Sequence, residues 1–335
     1  MHQNATVRLA VLLACALAVS CRAADSARRP ARARLAALPD RPSLMFVSVA
    51  GDETFKHVLL SSLEAPGAGA FVTPLVCERV YFAARGGLCL AEAPASDLPV
   101  TIWAQVFDEH FERRQRFPLT GLPSRLRVSP DGRRAAATLF SSGHSYAEHG
   151  FATTTTIFDL ESGTVAVTNL EQFSVQRDGA PFHAVDFNFW GVTFAGDSDT
   201  FYATLSSGGR HYLVKGSVNG RNARVIHEGV ECPSLSPDNN RIAFKKRVGG
   251  SSGWWQLTLL DLPTMVEKPL WNESRSVDDQ VEWLDDAHVM YHLTGASTAA
   301  DIWSTAVDGD TPPRLVLADA YSPAALRTTH VVMQR

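Results

Sequence analysis

Seven side chains with binding or catalytic potential gather in two polar stretches of this chain. His144, Tyr146 and His149 lie in one; His183, Asp186, Asn188 and Trp190 lie in the other. Imidazoles and carboxylates are metal-ligand and proton-transfer groups, and an indole beside them offers a stacking surface. Their spacing fixes no geometry, because no His pair stands at i,i+2 or in an H-x-x-x-H pattern on a helix. The expectation is therefore no metal centre and no cofactor, but a polar loop surface that meets a partner. Gly143-His144-Ser145-Tyr146-Ala147 fits a loose G-x-S-x-[GA] pattern. That motif makes a nucleophile on a strand-to-helix turn of an α/β sheet. Here a strand-like run precedes it and a Gly-containing loop follows, so no catalytic residue is expected. The chain contains no P-loop, G-x-G-x-x-G turn or EF-hand loop.

The elements that hold these stretches follow from a repeat. Ser236-Pro237-Asp238-Asn239-Asn240-Arg241-Ile242-Ala243-Phe244 reads as a tight turn entering a buried strand, since Pro presets φ and Asp and Asn tolerate turn conformations. The unit recurs. Ser129-Pro130-Asp131-Gly132 leads into Ala135 to Leu139, Ala195-Gly196-Asp197-Ser198 into Phe201 to Leu205, and Trp283-Leu284-Asp285-Asp286 into Val289 to Tyr291. A weaker copy runs from Glu78-Arg79 into Val80-Tyr81-Phe82. Taking Val76, Asp131, Asp197, Asp238 and Asp285 as equivalent gives intervals of 55, 66, 41 and 47 residues.

Two more strand-like runs follow each copy, for example Trp254 to Leu260 and Met265 to Leu270 after Asp238. Four short antiparallel strands per interval are the signature of a β-propeller blade. The C-terminal runs Ala324–Leu326 and Val331–Met333 lack a second half, and Leu44–Val49 and His57–Leu63 lack a first. Joined, they make a sixth blade and close the ring, which removes exposed strand edges. The fold class expected is all-β: one six-bladed propeller over residues 43–335. A β-sandwich gives no reason for one turn to recur at blade-sized intervals.

The Ser-Pro-Asp-Gly turn before Ala135-Ala136-Ala137, and the stretch Ser236 to Phe244, resemble the repeat of TolB-like six-bladed propellers. The resemblance covers residues 120–320 well and the first blade poorly. The resemblance implies the propeller fold and carries no function with it. TolB itself binds partner proteins and adds an N-terminal α/β domain to its propeller; with only residues 22–42 between the signal and the propeller, that domain is expected to be missing here.

The 66-residue interval holds two insertions, Ser141–Phe151 within a blade and Gln172–Trp190 between blades. In an up-and-down blade both kinds of loop emerge on one face of the disc, as do Gly249–Gly253 and Thr294–Ala300. That face, bearing the seven residues named first, is the expected binding site. The Asp of each repeated turn is expected to cap its own turn rather than to form a carboxylate ring. Of Trp103, Trp190, Trp254, Trp255, Trp271, Trp283 and Trp303, only Trp190 is expected to serve the loop face, the rest packing blade on blade.

Residues 1–21 read as an export signal. Arg8 precedes the apolar run Leu9–Val19, which ends in Leu17-Ala18-Val19-Ser20-Cys21, a sequence that resembles a bacterial lipobox. Lipidation at Cys21 would anchor the protein to a membrane outside the cytoplasm. Plain secretion is the alternative. Residues 22–42, rich in Ala, Arg and Pro, are expected to be a disordered linker. The net charge of the chain is −4, and the seven Arg and two Asp of residues 1–42 leave −9 for residues 43–335. An acidic body argues against nucleic acid as a partner. Cys77 and Cys89 are expected to flank a hairpin turning at Gly86-Gly87. Cys89 would then face Ala83, leaving Cys77 about 20 Å away at ~3.3 Å per residue, beyond disulfide reach.

Two functions fit these features. The first is an exported, lipid-anchored, non-enzymatic propeller that binds a protein or cell-envelope ligand. The second is a propeller enzyme, a lyase or hydrolase acting on carbohydrate or peptide through the His/Asp-bearing face. Convergence of His144, His149, His183 and Asp186 would favour the second.

Overall fold

The computed structural model describes residues 33–97, 99–148, 150–249, 253–294 and 300–327. They form a six-bladed propeller. Blade 1 contains β1 (Ser43–Ser48), β2 (His57–Ser62) and β3 (Ala70–Val76). Blade 2 is β4 (Arg79–Ala83), β5 (Gly86–Glu92), β6 (Ile102–Phe107) and β7 (Arg113–Leu119). Blade 3 is β8 (Leu122–Val128), β9 (Arg134–Ser142), β10 (Ala152–Asp159) and β11 (Thr164–Val167). A hairpin of β12 (Ser174–Arg177) and β13 (Ala180–Phe182) follows. Blade 4 is β14 (Asn188–Phe194), β15 (Thr200–Ser207), β16 (Arg210–Ser217) and β17 (Asn222–Glu228). Blade 5 is β18 (Glu231–Leu235), β19 (Arg241–Val248), β20 (Trp254–Asp261) and β21 (Val266–Pro269). Blade 6 is β22 (Glu282–Trp283), β23 (His288–Thr294), β24 (Ala300–Ala306) and β25 (Arg314–Leu317). The last strand, β26 (Ala320–Leu326), pairs with β1 and completes blade 1.

Closure is thus three N-terminal strands plus one C-terminal strand, in the order β26-β1-β2-β3, rather than two plus two. The reason is Ala70–Val76, which pairs with β2 and supplies the outer strand. The expected strand Val331–Met333 lies outside the described residues. Among those residues, no helix is long and apolar enough to cross a membrane.

Each blade presents apolar residues to both neighbours, so the core is divided into six layers between blades. Met45, Val58 and Leu60 of blade 1 meet Val80 and Phe82 of blade 2. The series continues round the ring to Met290 and Ile302 of blade 6, which pack on Leu44, Phe46 and Leu59 of blade 1. Every sheet face is buried by the next sheet, which is what makes a ring of otherwise unstable single sheets hold together.

The repeated turns have the chemistry their sequences imply. Asp131 Oδ1 accepts from the Arg133 backbone N–H at 3.0 Å, Asp238 Oδ1 from Asn240 N–H at 3.1 Å and Asp285 Oδ1 from Ala287 N–H at 2.7 Å. The position after the Asp is left-handed in three copies, with φ of 75° at Gly132, 57° at Ser198 and 59° at Asn239. Each Asp is a turn former.

Blade 2 corrects the register read from sequence. Its hairpin turns at Ala84-Arg85, with Ala83 opposite Gly86, so Val80–Phe82 is the inner strand and not the second. The two glycines belong to β5. A Cβ on Gly87 would stand 2.4 Å from the Phe107 ring, so glycine is needed there for close approach and not for turning. The shifted register places Val80 opposite Cys89. The chain bends ahead of β4 and brings Cys77 to a Cα–Cα distance of 5.5 Å from Cys89, and the two form a disulfide. This corrects the expectation that the two lie beyond disulfide reach. Cys232 alone is free among the described residues, and it is buried.

Part of the expected linker is also ordered against the propeller. Leu35 N–H donates to Val72 O at 2.9 Å and Leu38 N–H to Glu109 O at 2.7 Å. Leu35 and Leu38 pack on the core between blades 1 and 2. Residues 22–32 lie outside the described residues, as does Cys21.

Candidate functional site

The inner strand of each blade lines a central channel, and alternate side chains of such a strand point into it. Arg125 and Arg127 of β8 are placed this way. Arg127 pairs with Glu282 of blade 6, and Tyr81 of blade 2 donates its hydroxyl to the same carboxylate at 2.9 Å. Arg127 also donates to Tyr81 Oη at 3.0 Å and to Val281 O at 2.9 Å. Gln280 Nε2 reaches Val192 O and Pro233 O, each at 2.9 Å. Five of the six blades are cross-linked through these bonds. Burial, with the Glu282 charge beside it, pushes the Tyr81 phenol up to about 12.

A second charged layer lies toward the loop face. Lys245, fully buried, pairs with Asp278, which also accepts from Arg125 at 3.0 Å. Glu231 Oε1 accepts from Trp255 Nε1 at 3.1 Å and Arg247 Nε at 3.3 Å, and lies 3.2 Å from His211 Nδ1. Burial opposes ionisation of Glu231, but His211, Lys245 and Arg247 outweigh it and hold the carboxyl down at about 2.

Tyr146 closes this layer. It is 2% exposed, its hydroxyl lies 2.6 Å from Ser124 Oγ, and Lys245 Nζ sits 4.3 Å from its ring centroid. Phe140, Phe151, Trp190, Cys232 and Trp255 pack around it. Arg247 Nη2 donates to Tyr146 O at 2.7 Å, fastening the blade 3 insertion to blade 5. The loop that carries the G-x-S-x-A sequence therefore plugs the channel mouth with its tyrosine, and Ser145 Oγ serves the Ala147 N–H at 3.1 Å.

Six of the seven residues singled out from sequence are described, and they separate into three groups. Tyr146, Asp186 and Asn188 line one open cavity of about 840 Å³ on the loop face, together with Phe151, Phe187 and Val185. His144 and His183 are exposed and do not line it. His144 is 3.7 Å from Glu148 on its own loop. His149 lies outside the described residues. Trp190 is fully buried beneath the cavity, against Tyr146 and Phe151, which corrects its placement on the loop surface. Asp186 accepts from Ser207 Oγ at 2.7 Å and Gly208 N–H, and these bonds, first the backbone one, hold its carboxyl below the usual range. Asn188 is buried and accepts from Thr153 N–H at 3.0 Å. Both are bonded into the scaffold. Among the described residues no group of three His, Cys, Asp or Glu is placed to hold a metal ion.

The Gln172–Trp190 insertion is the larger surprise. Its hairpin adds to the outer edge of blade 4: β12 runs parallel to β17, with Ser174 opposite Asn222, and makes that sheet six-stranded. Only its last residues, from Val185, reach the cavity. Two other tryptophans also depart from expectation. Trp254 and Trp271 are exposed rather than packed between blades.

The charged residues of the axis escaped the sequence reading. A signal was present in Arg125-Leu126-Arg127 just before the Ser-Pro-Asp turn. Charge at period two on the inner strand of a propeller points into the channel.

No protein-family model and no curated protein matches the sequence. Solved structures share the fold. TolB from Acinetobacter baumannii superposes with a TM-score of 0.56 at 14% identity, over 85% of this chain and 66% of that one. A chain of a nidogen/laminin complex superposes with a TM-score of 0.57 at 10% identity, over 86% of this chain and 99% of that one. The likeness is one of fold: this chain is a TolB-like six-bladed propeller that matches less than two thirds of the TolB chain's length.

Proposed function

We propose that this chain is an exported, lipid-anchored, non-enzymatic propeller that binds a protein or cell-envelope ligand on its loop face. The observation that carries the reading is the 840 Å³ open cavity, whose walls include exposed Val185 with Phe187 and Phe151, rimmed by Glu148, Glu171, Asp186 and Arg247. Apolar walls within a charged rim suit recognition of another macromolecule's surface. Beneath it Tyr146 plugs the channel, and the titratable groups there are already paired with one another. That arrangement favours binding over proton transfer, which needs a group free to change charge.

The Cys77–Cys89 disulfide supports export, because such bonds persist in oxidising compartments. The apolar Leu9–Val19 run and Cys21 support lipidation. The net charge of −9 on residues 43–335 argues for partners other than nucleic acid.

Affinity capture from a source lysate, with mass spectrometry, tests the face. A partner retained by the native chain should be lost from a Val185→Glu, Phe187→Ser variant. Equal recovery by both would remove this face from consideration. Labelled palmitate should enter the native chain and not a Cys21→Ala variant; equal incorporation would exclude the anchor.

A further inference from the structure

A second cavity, of about 20 Å³, lies on the axis between the inner strands of blades 1, 2 and 3 and the lead-in to blade 6. Its lining includes Arg79, Arg125, Arg127, Ser124, Asp279 and Gln280. Three guanidinium groups around so small a space need compensation, since like charges repel strongly away from bulk water.

Arg127 and Arg125 have carboxylate partners in Glu282 and Asp278. Arg79 has none among the described residues; its guanidinium only stacks on the Tyr321 ring, 5.2 Å from the centroid. Arg79 is only partly buried, and that burial, with the neighbouring Arg125 charge, disfavours its protonated form. Asp279 lines the same cavity, but its oxygens are taken by Gln280 N–H at 2.8 Å, His292 N–H at 3.0 Å and His292 Nδ1 at 2.8 Å. Across the two axial layers, Arg79, Arg125, Arg127, Lys245 and Arg247 face four carboxylates, those of Glu231, Asp278, Asp279 and Glu282. One positive charge is left over.

A separate observation concerns one of the lining residues. Arg127 is 6% exposed, and its Nε–H, fully buried, has no acceptor. Buried donors in folded proteins nearly always have an acceptor, so an orphan beside a cavity marks a missing one. The volume suits an occupant of about the size of one water molecule and is too small for a phosphate or sulfate.

We propose that this cavity binds a single-atom monovalent anion of the halide class, held by Arg79 and the Arg127 Nε–H with Arg125 close by. An anion supplies both the acceptor and the negative charge; a water supplies only the first. Bound there, it ties the inner strand of blade 2 to that of blade 3 at the axis. The site is independent of the loop-face reading.

Crystals of the protein soaked in sodium bromide test it directly. An anomalous bromide peak is expected in the cavity beside Arg79, and it should vanish in an Arg79→Met variant. In solution, unfolding temperature should rise saturably with sodium chloride against sodium gluconate at equal ionic strength. Arg133→Met, which removes an exposed cation, should keep that response, and Arg79→Met should lose it. No peak in the native crystal, with equal melting in both salts, means that the cavity holds water only and overturns the proposal. A peak persisting at the same place in Arg79→Met overturns it as well. If Arg79→Met does not fold, the bromide map and the salt comparison on the native chain still decide.

Discussion

Arg127 and Glu282 form an ion pair across the propeller axis, although 155 residues separate them in the chain. Both are almost fully buried, at 6% and 3% exposure, so the pair is protected from water and salt. Its effect is to join the inner strand of blade 3 to that of blade 6, with Tyr81 of blade 2 bonded to both.

Breaking that pair from one side strands a buried charge. Glu282→Ala is expected to destabilise the fold by about 3–5 kcal/mol. The double variant Arg127→Met, Glu282→Met should recover most of that loss, because two apolar side chains leave no uncompensated charge. Guanidinium chloride unfolding midpoints measure both. A single variant losing less than about 1 kcal/mol would show that the pair is not buried as described.

Glu231 sets a pH dependence. Its carboxyl is held at about 2 against an ordinary 4.5, so the folded state binds this proton less readily than the unfolded chain. The stability it contributes is therefore present above pH ~4.5 and is lost as pH falls from there through about 2, to a total of about 3 kcal/mol. Glu231→Gln should flatten the acid limb of a stability–pH curve in that window. An acid limb unchanged by the substitution would assign the dependence to other carboxylates.

The disulfide closes a short loop, since 12 residues of sequence separate its cysteines. Replacing both Cys77 and Cys89 by Ser is expected to lower stability by about 2–4 kcal/mol. Peptide mapping without reductant should recover the two cysteines linked. Finding both alkylated before reduction would contradict the pairing.

Two neighbours on one loop should behave oppositely. Tyr146→Ala removes the channel plug and is expected to cost about 3–5 kcal/mol, as for large aromatic truncations. His144→Ala, on an exposed side chain, should change stability by no more than about 0.5 kcal/mol. Thermal melts of the two variants compare them, and comparable losses would mean that the loop does not seat as described.

The sequence by itself determined the architecture. The turn of Ser236-Pro237-Asp238 and its copies is local chemistry: an Asp that caps backbone N–H groups within a few residues and a following position able to adopt positive φ. Such features are written in neighbouring residues, and their recurrence gave six blades and one closed ring. Blade 2 departs from its local pattern because Gly86-Gly87 looks like a turn, whereas the glycine at 87 is required by Phe107 on the neighbouring strand.

The site was only partly legible for the same kind of reason. Tyr146, Asp186 and Asn188 were placed near one another by the loop-face argument, and they do share a cavity. The burial of Trp190, the docking of β12 on β17, and the closeness of Cys77 to Cys89 were decided by tertiary structure alone. So was the axial network of Arg125, Arg127, Lys245, Asp278 and Glu282, whose members come from three blades. A propeller brings together at its axis residues that are far apart in the chain, so their partners are fixed by ring closure and register, which no local pattern records.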